Sequence, residues 1–374
     1  MSYKKPNDRI SEAALGLFPS QYVQRFLRDK HIVVIGDSVQ RHAYKDLVAL
    51  LQMNALLSAD EEFRHKFEPS FLGDTLCDQT EVTTGVDCWE FREYQSKNGW
   101  HLVQYHFVTR CYDERTERRI LSEFEREPPD IVIMNSCLWD VTRYGDPEKS
   151  MAEYRERMVK LLERMQELLP PKSIFLWCTA LPLHTKIIAR GVILESMEFQ
   201  NEHLRVQIMD ANYQIAQIVQ SMGFDVLDLH FYVRALIDWR LEDGVHWHGE
   251  IHRHMTNLVL IHLHEAWGEV LPSEAVDTLF SAYGEEDSLP HLRLKEQPRF
   301  VKQQQRYLAL MQTGGEEKEK TADDNVQEGI MEPTKKKARI ETSSSADGSG
   351  SCSVMTTSSI TTTAASSSSS SGSE

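Results

Sequence analysis

Three places in this 374-residue chain carry side chains whose types and spacing can do ester chemistry. Ser38 stands two residues beyond the apolar run of HIVVIGDS, at the start of a helical pattern. A hydroxyl there meets free backbone N–H groups that can stabilise an oxyanion, although serine at that place is also a favoured N-cap. Asp243 and His246, in DGVHW, put a carboxylate and an imidazole three residues apart. In one turn the carboxylate can accept the ring N–H and leave the other nitrogen free as a base, or the aspartate can simply start the next helix. Trp247 beside them can wall the site. Asn135 closes a third apolar run, where its amide N–H can serve a tetrahedral intermediate or satisfy loop carbonyls. Gly85 in TTGVDC and Gly73 in FLGD can offer a further backbone N–H, or are ordinary turn glycines.

These residues need elements that bring them together. HIVVIG, HLVQYHFV, DIVIMN, SIFLWCTAL and FDVLDLH read as five strands. Helical spacing appears in a lead-in at 21–30, in Ala43, Leu47, Leu50 and Leu51, and in the stripe Met151, Tyr154, Met158, Leu161, Leu162, Met165, Leu168 and Leu169, which Pro170 and Pro171 stop. Leu204, Ile208, Ala211, Ile215, Ile218 and Met222 form another helix, ended by Gly223, and a last one spans about 250–267 before Gly268. Residues 53–100 show no period and read as a long excursion. Apolar strands alternating with helices predict a parallel sheet covered on both faces, in which working groups collect beyond the carboxyl ends of strands. Ser38, Asn135 and the 243–246 segment all fall there.

Composition narrows the function further. The net charge of −16 argues against nucleic acid or an anionic membrane as partner. MSYKKPNDRI has no apolar run behind its lysines, and no stretch is long enough to span a membrane, so the expected place is intracellular, in the cytoplasm or nucleus. Six cysteines show no CxxC pair, and Cys77 with Cys88 is the pair weighed for a bridge. His246, His248, His252 and His254 cluster, but HGEIH is not HExxH, so neither metal nor cofactor is expected. The expected organisation is a lead-in at 1–27, one domain at 28–270, an extension at 271–311 and a disordered tail at 312–374, acidic and then Ser/Thr-rich. PTKKKARIE in that tail has the form of a motif for an import receptor.

The paired IGDSVQR and DGVHW segments resemble the GDS and DxxH motifs of the PC-esterase branch of the SGNH (GDSL-like) hydrolases. KDLVALLQ, MNSCLWDVTRYG, DVLDLHF and DGVHWHGEIHRH look close to an animal member of that branch. The resemblance covers roughly residues 28–268 and implies a three-layer α/β/α, flavodoxin-like fold. It further implies an acyl-ester hydrolase or acyl transferase with Ser38 as nucleophile, His246 as base, Asp243 as its orienter, and Ser38 N–H with Asn135 in the oxyanion hole. Arg41 matches the GDSxxR spacing and is expected to orient the turn or the substrate. Val39 replaces the leucine of the broader pattern, and Ile133 and Ser136 replace the glycine and aspartate around its asparagine. The substrate expected is a small-molecule or glycan-linked acyl ester. The alternative is a non-catalytic binding or adaptor protein of the same fold.

Overall fold

The computed structural model describes residues 15–57, 68–81, 85–144, 147–185, 187, 192, 201–273 and 275. The tail read at 312–374, its import motif and most of the 271–311 extension lie outside them. Helix α1 (Ser20–Phe26) leads into strand β1 (Lys30–Gly36), and α2 (Ser38–Leu50) starts two residues after β1 ends. Strands β2 (Thr75–Gln79), β3 (Glu90–Gln95) and β4 (His101–Phe107) follow. A helical run at 114–124, which includes a π turn at Glu117–Leu121, precedes β5 (Ile131–Met134), α3 (Leu138–Thr142) and α4 (Pro147–Leu168). The rest comprises β6 (Ile174–Cys178), α5 (Asn201–Ser221), β7 (Asp225–Leu227), α6 (Leu229–Val233) and α7 (Gly249–Trp267).

The seven strands form one sheet in the order β2-β3-β4-β1-β5-β6-β7. Strands β4, β1, β5, β6 and β7 are the five read from sequence, and they run parallel. Successive side chains of a strand point to opposite faces, and β1, β5 and β6 fill both. Ile32, Val34, Ile131, Ile133 and Leu176 enter one core with α1, α2 and α7. Val33, Ile35, Val132, Met134 and Trp177 enter the other with α3, α4 and α5. Two buried faces explain the uninterrupted apolar runs and make the architecture three-layered.

Two strands of the sheet lie outside the five read from sequence. Part of the 53–100 segment supplies β2 and β3, which pair antiparallel along the β4 edge. Their pattern was hidden because the inward positions of β3 include charges: Glu90 and Arg92 are buried. Arg92 bonds Glu90 and Asp74, Glu90 also accepts from Arg41, and Asp74 accepts from Tyr44. Charges can occupy a core only when so paired, and a hydropathy pattern reads such a strand inside out. Cys77 and Cys88 are free thiols, so the bridge weighed for them is not formed.

Among the parallel strands, the order second-first-third-fourth-fifth means that successive strands are added to one side of β1 and then to the other, so the winding reverses between β1 and β5. That reversal opens a crevice outside their carboxyl ends, where doubly wound sheets bind ligands. Among the described residues no helix is long and apolar enough to cross a membrane.

Candidate active site

The turn that presents Ser38 is built from four neighbours. Gly36 ends β1 where a Cβ would lie 2.7 Å from the Asn135 carbonyl oxygen and 2.4 Å from Cγ of Gln40, so only glycine fits between them. Asp37 takes the cap that serine can also fill: its Oδ1 accepts from the Val39 N–H at 2.9 Å. Tyr105 Oη donates to the carbonyls of Gly36 and Asp37, at 3.2 and 2.9 Å, and ties the turn to β4. With the cap occupied by Asp37, the Ser38 hydroxyl is free for another partner.

That partner is His246, whose Nε2 lies 2.7 Å from Ser38 Oγ. The 243–246 segment sits in a tight loop before α7. An isolated bridge pairs Arg240 with Trp247, and Trp247 is fully buried beneath it. Gly244 takes φ +83°, which a side chain would resist. Asp243 Oδ1 accepts from the Val245 and His246 N–H groups, each at 2.9 Å, and Oδ2 lies 2.5 Å from His246 Nδ1. Although burial alone would raise it, the His246 hydrogen bond and charge, with the two backbone donors, hold the Asp243 carboxyl down at about 2. An ionised Asp243 can only accept, so Nδ1 carries the ring proton and Nε2 is left to accept from Ser38.

Two further imidazoles adjoin this chain. His42 lies with its ring centroid 5.6 Å from that of His246 and 5.1 Å from that of His252. Both are fully enclosed. Burial first, then neighbouring cationic groups, pushes His42 well below the usual histidine range, and His252 falls to about 3 for the same reasons. Sequence reasoning passed over His42, although it lies four residues after Ser38 and therefore on the same side of α2. It also passed over Asp37 as the cap. Of the other clustered histidines, His248 packs edge-on against Trp239 and His254 is pushed to about 4 by burial. Among the described residues no group of three or more His, Cys, Asp or Glu is placed to hold a metal ion.

The remaining candidates are spread out. Asn135 borders a hollow together with Asp37, Val39 and Val245, the chain neighbours of Ser38 and His246. One of its amide hydrogens goes to the Cys178 carbonyl at 2.7 Å, and its backbone N–H goes to Ile35. Arg41 points to Glu90, with Nε 2.7 Å from Oε2, and its guanidinium carbon lies 5.1 Å from the Phe107 ring centroid. It braces the floor of the turn. Gly85, at φ +90°, accepts through its carbonyl from Cys88, and no described contact joins it to Ser38 or His246. Gly73, at φ +83°, turns the chain before β2. The structure thus brings Ser38, His246 and Asp243 into one hydrogen-bonded chain, sets Asn135 at its rim, and holds Arg41 and Gly85 apart from it.

No protein-family model matches this chain. PC-esterase domain-containing protein 1A of Mus musculus is 40% identical over 268 residues, which is 71% of this chain and 59% of that protein. PC-esterase domain-containing protein 1B of Homo sapiens is 36% identical over 261 residues, 68% of this chain and 59% of that protein. The chain therefore spans about three fifths of the length of these relatives. Among solved structures, Axe2, an acetylxylan esterase from Geobacillus stearothermophilus, aligns with a TM-score of 0.37 at 14% identity, over 63% of this chain and 94% of its own. The acetyl xylan esterase AlAXEase aligns with a TM-score of 0.36 at 14% identity, over 62% and 99%. At 36 to 40% identity over 261 and 268 residues, the chain is a homologue of the PC-esterase domain-containing proteins 1A and 1B and is, over that shared span, a member of their family.

Proposed function

We propose that the protein is a serine-dependent acyl-ester hydrolase, with Ser38 as nucleophile, His246 as general base and Asp243 as its orienter. The observation that carries this reading is the unbroken chain from Ser38 Oγ to His246 Nε2 at 2.7 Å and from Nδ1 to Asp243 at 2.5 Å, at the sheet's switch point. Ser38 Oγ attacks the ester carbonyl carbon as its proton passes to Nε2. The tetrahedral oxyanion is met by the Ser38 N–H and the second Asn135 amide hydrogen. The C–O bond to the alcohol then breaks, and the alcohol leaves with the proton held by His246. Water, deprotonated by His246, releases the acid and restores Ser38; an acceptor alcohol in place of water makes the same cycle a transfer. The imidazolium formed on the way is balanced by Asp243. His42 and His252, kept neutral by burial, add no opposing charge.

The substrate in this reading is an O-acyl ester on a small molecule or glycan, met in the cytoplasm or nucleus. The PTKKKARIE motif is the candidate contact for an import receptor. A fluorophosphonate probe tests the chemistry without knowledge of the substrate: the wild-type protein should be labelled and Ser38→Ala should not. A second reading, a binding protein of the same fold that does not turn over esters, is favoured by one observation: an Asn135 amide hydrogen is already engaged by Cys178. A folded wild-type protein that neither labels nor hydrolyses esters would establish that reading instead.

A further inference from the structure

The hydrogen bonds that hold the His246 ring are not equally permanent. Asp243 Oδ2 keeps Nδ1 at 2.5 Å, and Ser38 Oγ keeps Nε2 at 2.7 Å while the serine is free. Once Ser38 is acylated its Oγ has no proton to donate, so the ring loses one of these two anchors. The second half of the cycle needs the same ring in the same place. Water attacks the acyl carbon as Nε2 takes its proton, the bond from that carbon to Oγ breaks, and Oγ recovers the proton. A ring held at one end alone can swing about the bond that joins it to the chain, and a misplacement of about 1 Å can cost on the order of 10²-fold in rate.

A packed neighbour is in position to prevent that swing. His42 lies on α2 one turn after Ser38, its ring centroid 5.6 Å from that of His246 and the two planes inclined at 56°. It is only 2% exposed, and His252 of α7 meets it edge to face at 5.1 Å, with 76° between the planes. Asp46 of α2 is bonded to Arg253 and Thr256 of α7, which fixes the spacing of the two helices that carry these rings. His42 therefore has little room to give way, and the His246 side chain, 15% exposed, has little room to move past it. An ordinary core histidine is the plain alternative. A leucine would fill such a site at a lower desolvation cost, yet it has no flat face to set against an imidazole.

Resting on the esterase reading, we propose that His42 is a positioning residue: its ring, in contact with those of His246 and His252, keeps the His246 imidazole aligned through the acyl-enzyme stage, when Ser38 no longer anchors it. The contribution of His42 is then greatest in deacylation. Nucleophile and brace sit one turn apart on the same helix, so a shift of α2 carries both together.

The test uses the full chain and p-nitrophenyl acetate. In His42→Ala, kcat, which then reports deacylation, should fall about 10²-fold, while kcat/KM, which reports acylation, should fall less than about tenfold. A burst of one p-nitrophenol per serine should precede the slow steady state. His42→Gln, which keeps much of the side-chain volume but not the flat ring, should behave like the alanine variant, and His42→Phe, which keeps a flat ring, should restore most of kcat. Equal falls in kcat and kcat/KM, or no fall, overturn the proposal, because a loss of folded protein lowers both alike. Ser38→Ala removes the serine anchor without any chemistry and so separates this idea from the esterase reading. Nitrogen-15 NMR of the His246 ring should show one Nδ1-protonated form in Ser38→Ala, and averaging of the two tautomers once His42→Ala or His42→Gln is added. That result supports the brace even if no ester is cleaved. Averaging already present in Ser38→Ala, or a single form kept in both double variants, overturns it even if the wild-type protein is an active esterase.

Discussion

Both faces of the sheet carry an apolar core, but the long helices that cover them bury polar side chains to different extents. Under α4 and α5 the contacts are apolar: Tyr154, Met158, Leu161, Leu162 and Met165 from one helix, Leu204, Ile208, Ala211, Ile215 and Val219 from the other. Asn212 is a polar exception on α5, and it is matched to both backbone groups of Ala180 at 2.9 Å. On the opposite face α2 buries Gln40, Arg41, His42, Lys45 and Asp46, and α7 buries His252, Arg253, His254, Thr256 and Asn257. These are the helices that begin just beyond the two halves of the site, at Ser38 and after His246. Hydrophobic contact is non-directional and tolerates sliding. A buried ion pair has one good geometry, and Asp46 lies 3.1 Å from Arg253 Nε and 2.6 Å from Thr256, joining α2 to α7. The contrast assigns general stability to the α4/α5 face and the spacing between Ser38 and His246 to the polar α2/α7 face.

The largest effect should come from the site itself. Ser38→Ala and His246→Ala are each expected to lower ester turnover by at least ~10³-fold while leaving the melting temperature near that of the wild type, because both act in one nucleophilic step. Asp243→Asn should lower kcat by up to ~10⁴-fold through loss of the tautomer it holds. Burst-free progress curves on a short-chain ester, read beside circular dichroism melts, check all three.

Substitutions in the two layers come next and sharpen the comparison. Asp46→Ala should cost about 3–5 kcal/mol by leaving Arg253 buried and unpaired. Leu161→Ala, on the opposite face, should cost a similar ~2–5 kcal/mol by leaving a cavity. Urea unfolding measures both losses. Turnover per folded molecule should fall only for Asp46→Ala, and equal turnover in the two variants would remove the division of labour between the layers.

A smaller effect should appear in the pH dependence of stability. Asp140, on the α4 side, accepts from the Ser136 hydroxyl and the Cys111 N–H, and burial pushes it up to about 7. Between the ordinary carboxylate value of about 4 and 7 the native state therefore binds more protons than the unfolded chain, so this group's contribution is full below about 4 and is lost as pH rises to 7. Asp140→Asn should abolish that component of the fall in stability. Asp243 has the opposite sign: held at about 2, it contributes above pH 4 and loses its contribution as pH falls toward 2. Denaturation curves from pH 3 to 8 on wild type and Asp140→Asn separate the two. The smallest effect belongs to the outer face of α5, where Val206 is 68% exposed; Val206→Ser should shift stability by less than about 0.5 kcal/mol.

Much of this arrangement was written locally in the chain. The five parallel strands and the helices α2, α4, α5 and α7 were legible because periods of 2 and 3.6 act over a few residues, and their ends are marked by Pro170 and by Gly223 and Gly268 at positive φ. Ser38 after a strand and the three-residue spacing of Asp243 and His246 are likewise local facts. The tertiary structure decided what no short window holds. It brought Ser38 to His246 across 208 positions, by packing α7 against α2. It turned Arg41 to Glu90 and one Asn135 hydrogen to Cys178, because a buried donor takes the acceptor that the packing offers. It gave the helix cap to Asp37, although serine is an equally favoured cap, and so left the Ser38 hydroxyl for the imidazole. And it made strands of β2 and β3, since the charges on the inward face of β3 are stable only against partners, Arg41 and Asp74, that lie elsewhere in the chain.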